Sequence, residues 1–153
     1  MRLRKACIGD ANAIHKLLVD HAGQGLMLSR SLAEIYQAIR SFYVLERDGE
    51  VFGTVSLQVW WLDLAEVRSL VVDDSLAGQG YGRKLVQSCL DEAQELGLSR
   101  VFALTYQEEF FARLGFTVIE KNELPHKIWG DCMQCPKFPD CDEIAMAISV
   151  TND

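Results

Sequence analysis

At 153 residues, with a formal net charge of −7 and a pI of about 4.9, the chain has room for one ordinary domain and is too acidic for general binding along a nucleic-acid backbone. Hydrophobic residues make up 49% and charged residues 24%, which excludes a disordered polyelectrolyte, and no apolar run reaches the roughly 20 residues of a membrane span. The five cysteines are odd in number and unevenly placed, which argues against a secreted disulfide framework. Met1-Arg2-Leu3-Arg4-Lys5 has charge but no apolar stretch behind it, so no secretory leader is expected and a cytoplasmic location is.

A first strand is expected over residues 2–6. Asp10 is placed to cap a helix whose apolar positions Ala11, Ile14, Leu17 and Leu18 recur at helical spacing, with Gly23 and Gly25 breaking it. Ser31-Leu-Ala-Glu34 is a capping box for a second helix, whose buried face would be Leu32, Ile35, Tyr36 and Ile39. Residues 42–47 run into Asp48-Gly49, a strong hairpin signal, and 50–61 return with strict alternation. The spacing predicts a further strand over 64–72, with Leu64, Glu66, Arg68, Leu70 and Val72 on one face and Ala65, Val67, Ser69 and Val71 on the other. Two charged residues in so apolar a strand call for a reason beyond folding.

After a turn at Asp73-Asp74-Ser75, Gly78-Gln79-Gly80-Tyr81-Gly82 opens onto a helix with the stripe Leu85, Val86, Cys89, Leu90, Ala93 and Leu96, ended by Gly97. A strand over 101–105, a short helix over 108–113 stopped at Gly115, a strand over 116–121 and a last strand over 143–150 follow. The order βαα-ββ-β-α-β-α-β-β gives a single α/β (or α+β) domain spanning 1–153. Its one shift in composition is a cysteine-containing loop at 125–142. Cys7 and Cys89 read as small core residues, and His15 and His21 as surface or capping groups.

A glycine-rich turn between strand and helix lets backbone amides converge on an anion, where the helix N-terminus adds roughly half a positive charge. Arg83 and Lys84 oppose that dipole, so an anion between them would explain their position. A plain glycine-rich turn is the other reading. The spacing is neither that of a P-loop nor that of a dinucleotide fingerprint.

The run from Val71 to Leu85, with Gly78-Gln79-Gly80-Tyr81-Gly82 at its centre, resembles the acetyl-CoA signature of the GNAT acetyltransferase superfamily. Phe110-Phe111-Ala112-Arg113-Leu114-Gly115-Phe116 is similar to the aromatic element of the same family. Within it, several segments resemble the acetyltransferase domain of N-acetylglutamate synthases, especially the short stand-alone kind. These are Leu28-Ser29-Arg30-Ser31 with Glu34, the stretch around Phe42, Val44, Glu46 and Gly49, Leu64 to Leu70, Leu104-Thr105, and Leu124-Pro125 with Lys127-Ile128-Trp129. The resemblance implies a mixed, mostly antiparallel central sheet of about six to seven strands flanked by about four helices. It also implies acetyl-CoA as cosubstrate, a small amino acid such as glutamate as acceptor, and arginine biosynthesis as the setting. No nucleic acid or membrane is expected as a partner, and a homodimer is left open.

By that match Gln79, Gly80, Tyr81, Gly82, Arg83 and Lys84 would hold the pyrophosphate, while Leu70, Val71 and Val72 would line the pantetheine. Ala77 stands where the signature has Gln or Arg; because backbone amides do most of the holding, the departure implies weaker cofactor affinity at most. Glu66 is the candidate base, acting directly or through a water, or else one half of an ion pair with Arg68. A backbone amide near Leu70 would stabilise the oxyanion. The family's usual phenol is replaced by Phe110 and Phe111, leaving Tyr106 as the candidate acid, or simply as a buried or surface aromatic. An acceptor with two carboxylates needs cations, for which Arg30, Arg68 and Lys127 are the candidates and Arg113 a further one. Cys132, Cys135 and Cys141, with His126 or Asp131, suit a zinc site, an iron–sulfur cluster, a redox-labile pair, or a reduced thiol loop shaped by Pro136 and Pro139. Other amines as acceptor, or a non-catalytic acetyl-CoA sensor, are the alternative readings.

Overall fold

The computed structural model describes residues 1–22, 31–124 and 143–151. The elements follow the expected order: β1 (Arg2–Lys5), α1 (Ala11–Ala22), α2 (Leu32–Gln37), β2 (Phe42–Arg47), β3 (Glu50–Trp61), β4 (Leu64–Val72), α3 (Tyr81–Glu95), β5 (Arg100–Thr105), α4 (Glu108–Arg113), β6 (Thr117–Val118) and β7 (Ile144–Ser149). They form a seven-stranded sheet in the order β1-β2-β3-β4-β5-β7-β6. The pairs β1–β2, β2–β3, β5–β7 and β6–β7 are antiparallel, while β4–β5 is parallel. A parallel pair cannot be joined by a tight turn, and α3 supplies the crossover. This is the mixed, mostly antiparallel α/β fold expected. The chain divides into two compact units, Met1–Gln58 with Val67–Glu92, and Val59–Glu66 with Ala93–Asp153.

In the first unit, Ala11, Ile14 and Leu18 of α1 pack with Ile35, Phe42, Val44 and Val71 into one buried cluster. The capping box at α2 forms as the sequence indicated: Glu34 N donates to Ser31 Oγ at 3.1 Å, and Ser31 N donates to Glu34 Oε1 at 3.2 Å. Asp48 and Gly49 both take left-handed φ, +53° and +80°, the twist that a two-residue hairpin needs. Three expectations fail here. Asp10 ends a one-turn 3-10 helix rather than capping α1: its carboxylate turns back to accept Cys7 N at 2.7 Å and the Arg4 fork at 2.8 and 3.0 Å. Tyr36 is 39% exposed, because α2 ends at Gln37 and Ile35 alone of the six residues is fully buried. Cys7 is exposed, standing at the N-cap of the 3-10 helix with its amide donating to the Asp10 carboxylate. Cys89 is buried as expected, and burial pushes its thiol up to about 12.

In the second unit, β5 pairs with β7 from Arg100↔Ser149 to Thr105↔Ile144, and Leu64, Phe102, Leu124, Ala145 and Ala147 form the core. Leu96 is 57% exposed instead of continuing the α3 stripe. The helix ends at Glu95, and the amides of Gly97 and Leu98 reach back to the carbonyls of Gln94 and Ala93, which buries Leu98 in its place. The strand expected over 116–121 is only Thr117–Val118. Glu123 Oε2 accepts Glu120 N at 2.8 Å and turns the chain into a 3-10 helix that ends the pairing.

The Arg4 fork, more than the Cys7 amide, holds the Asp10 carboxyl below its ordinary 3.8 against the opposing effect of burial. The folded protein therefore binds that proton less readily than the unfolded chain does. The resulting stability is full above about pH 4 and drains away as pH falls through the folded value. Asp10→Asn should lower stability by about 1–3 kcal/mol at pH 7. In denaturant titrations, the gap between variant and wild type should narrow steadily as the pH is lowered below about 4.

Candidate active site

The end of β4 and the start of α3 are shaped by local backbone. Ser69 sits at φ +58°, outside the range of a regular strand, so the two-residue alternation expected across 64–72 does not run through it. Beyond it Val71 is buried, and Asp73 N donates to Phe52 O at 2.8 Å. Asp73 Oδ1 then accepts Ser75 Oγ at 2.7 Å and Ser75 N at 3.0 Å. These bonds hold the Asp73 carboxyl below the usual carboxylate range and fix the turn. Leu76 anchors the turn in the core.

Gly78 and Gly80 follow at φ +78° and +82°, conformations that side chains rarely adopt. A Cβ built on either would meet nothing within 4 Å, so the backbone here is open to close approach. The first helical bond of α3 runs from Lys84 N to Gly80 O at 3.2 Å, and the helix leaves its earliest amides without intrahelical acceptors. Gln79, Arg83 and Lys84 are exposed, Tyr81 and Gly82 half-buried, and Lys84 Nζ lies 5.2 Å from the centroid of the Tyr81 ring. Open glycines, free helix-start amides and two nearby cations suit a phosphate group.

In the second unit, Glu66 is 7% exposed on β4, opposite Phe102 of β5. Its Oε1 accepts the indole N–H of Trp60 at 3.0 Å. Tyr106 stands just past β5 and is 37% exposed. The aromatic element is a packing device: Phe111 meets Phe110 and Phe116 edge-on, each with centroids 5.1 Å apart. Leu70, Val72 and Arg68 are half-buried along β4. Arg30, Lys127, Cys132, Cys135 and Cys141 lie outside the described residues. Among those described, no group of three His, Cys, Asp or Glu side chains could hold a metal, and no helix is long and apolar enough to cross a membrane.

The sequence pattern of the acetyltransferase (GNAT) family matches residues 12–116, which include β4 and the glycine loop. The chain belongs to that family. It is an acetyl-CoA-dependent N-acetyltransferase. An uncharacterized N-acetyltransferase of Chlorobaculum tepidum is 42% identical over 144 residues, covering 94% of this chain and 93% of its own. An amino-acid acetyltransferase of Mycobacterium tuberculosis is 38% identical over 132 residues, covering 84% of this chain and 75% of its own. Among solved structures, the N-acetylglutamate synthase of Neisseria gonorrhoeae, complexed with coenzyme A and N-acetyl-glutamate, matches with a TM-score of 0.90 at 29% identity. That match covers 98% of this chain and 35% of the synthase.

Three residues of this GNAT chain were given no role of their own from sequence. Gly78 has the same left-handed backbone as Gly80, and its glycine identity was the available signal. The Ser69 conformation left no trace, since serine is at home in a strand's polar positions. Trp60 could be linked to Glu66 only once β3 and β4 were folded back on each other.

Gly80→Ala must hold φ +82° with a Cβ, costing about 1–2 kcal/mol. It also places a methyl group where an anion would approach. The variant should need roughly tenfold more acetyl-CoA for half-maximal rate, equivalent to about 1.4 kcal/mol. Titration of initial rates, with a melting curve as control, checks both effects.

Proposed function

We propose that this GNAT enzyme acetylates the α-amino group of an amino acid, with L-glutamate the first candidate. The observation that carries the reading is the similarity to an amino-acid acetyltransferase across 84% of the chain, supported by the TM-score of 0.90 to a synthase holding N-acetyl-glutamate. The setting this reading implies is arginine biosynthesis in the cytoplasm, with all 153 residues acting as one acetyltransferase domain.

Acetyl-CoA supplies an activated thioester. In this reading the amides and cations of Gln79 to Lys84 hold its pyrophosphate, with backbone at Leu70, Val71 and Val72 beside the pantetheine. An amino-acid amine is mostly protonated at neutral pH, so a base must take a proton before attack. Glu66 has that role, a carboxylate within an apolar strand whose burial is at odds with a purely structural purpose. A backbone N–H near Leu70 stabilises the oxyanion, and Tyr106 returns a proton to the departing thiolate. Arg30, Arg68 and Lys127 receive the two acceptor carboxylates. Among the described residues no group of side chains could hold a metal, and no step is assigned to one.

The test is CoA release from acetyl-CoA by purified protein against a panel of amino acids and polyamines, with thiol-reagent controls. Turnover is expected with glutamate. Glu66→Gln should lower kcat by about 10²–10⁴-fold, and Arg30→Ala should raise the KM for the acceptor. Turnover with some other amine alone would keep the enzyme and overturn the acceptor.

A further inference from the structure

Trp60 and Glu66 lie within one stretch of the second unit, Val59–Glu66, on either side of the tip that joins β3 to β4. Along β3 the neighbours Val59 and Trp61 are 48% and 53% exposed, whereas Trp60 is half-buried and packs against the cluster of Leu64, Phe102 and Leu124. Alternation in the strand thus turns Trp60 inward and its two neighbours outward. An indole N–H is a donor only, and an ionised carboxylate is an acceptor only. A half-buried tryptophan can leave its N–H to solvent; this one directs it to Glu66 Oε1 at 3.0 Å. The indole is rigid and packed against the core, so the donor position is set by packing rather than by a mobile side chain.

We infer that Trp60 is a positioning residue for the acetyl transfer, its indole N–H fixing the Glu66 carboxylate in the orientation in which it accepts the proton of the incoming amine. This rests on the reading of Glu66 as the base. The donor acts in two ways. It restricts rotation of the carboxylate, so that proton transfer begins from a defined geometry. It also gives a buried carboxylate a hydrogen-bond partner, offsetting part of the cost of taking it out of water. Trp60 touches neither substrate in this scheme. Its influence passes wholly through Glu66, and that makes it separable from a residue that merely fills the core.

The experiment is a double-mutant cycle on kcat and on the KM for acetyl-CoA, using Trp60→Phe, Glu66→Gln and the two combined. Trp60→Phe should lower kcat about tenfold, the size expected for one lost hydrogen bond to a charged group, with the KM for acetyl-CoA unchanged. In the Glu66→Gln background the same substitution should change kcat by less than about twofold, because the group it positions is already gone. A purely structural role predicts equal losses in both backgrounds, and that result overturns the inference. So does a Trp60→Phe enzyme with wild-type kcat. If melting curves show that Trp60→Phe is unfolded, β-(3-benzothienyl)alanine placed at position 60 removes the N–H while keeping the ring shape, and the same criteria apply. Wild-type turnover by Glu66→Gln alone would reject the base reading itself. A normal Trp60→Phe beside a crippled Glu66→Gln rejects only the present inference.

Discussion

A carboxylate in the middle of an apolar strand is the feature on which the arrangement turns. Glu66 is 7% exposed between Ala65 and Val67, both buried, and a charge removed from water so completely has to be compensated by donors. One of them is the Trp60 indole, which can reach only because β3 folds back at its tip and because Trp60 packs against the core. The parallel register of Leu64–Glu66 against β5 fixes the strand that carries the carboxylate, and that register in turn requires a crossover helix. The glycine loop stands at the start of that helix. A fold that places a buried acid on β4 and an anion-receptive turn after it therefore follows from a single crossover.

The backbone between Glu66 and α3 is unusual in three places. Ser69, Gly78 and Gly80 all take left-handed φ, and at Ser69 no glycine relieves the strain. Each departs from regular structure by one residue, and each redirects the amides next to it. The Asp73–Ser75 turn and the buried Leu76 hold this stretch to the core, so the exposed glycines after it belong to an anchored loop. Strain at such positions persists when the surroundings over-determine the chain. Here the surroundings are the bond from Asp73 N to Phe52 O and the packing of Val71 against Phe42 and Val44.

Much of the fold was legible residue by residue. The Ser31–Glu34 box, the Asp48-Gly49 turn and the Gly97 and Gly115 stops are local chemistry, in which each side chain or glycine answers to amides a few residues away. The places where sequence reasoning went astray share a different cause. Tyr36 and Leu96 sit at the correct helical phase, yet Tyr36 is the last residue but one of α2 and Leu96 falls just past the end of α3, and both are exposed. Cys7 looked like a core residue by type, and Asp10 like a cap by position. The Arg4 fork draws the Asp10 carboxylate away from α1 and toward the Cys7 amide. The last short strand was overextended because a Glu120–Glu123 turn competes with the sheet for the same backbone.

The sequence by itself determined the order of elements, the glycine loop and its cations, and the presence of an acid on an otherwise apolar strand. These depend on spacing and residue type within a few positions, where geometry is set by local sterics and the periods of helix and strand. Only the tertiary structure decided that the acid is buried, that an indole from the neighbouring strand donates to it, and that Ser69 interrupts the alternation on which its face was assigned. Burial, cross-strand hydrogen bonds and tolerated strain are properties of what surrounds a residue, and those surroundings are assembled from chain segments that no local pattern brings together.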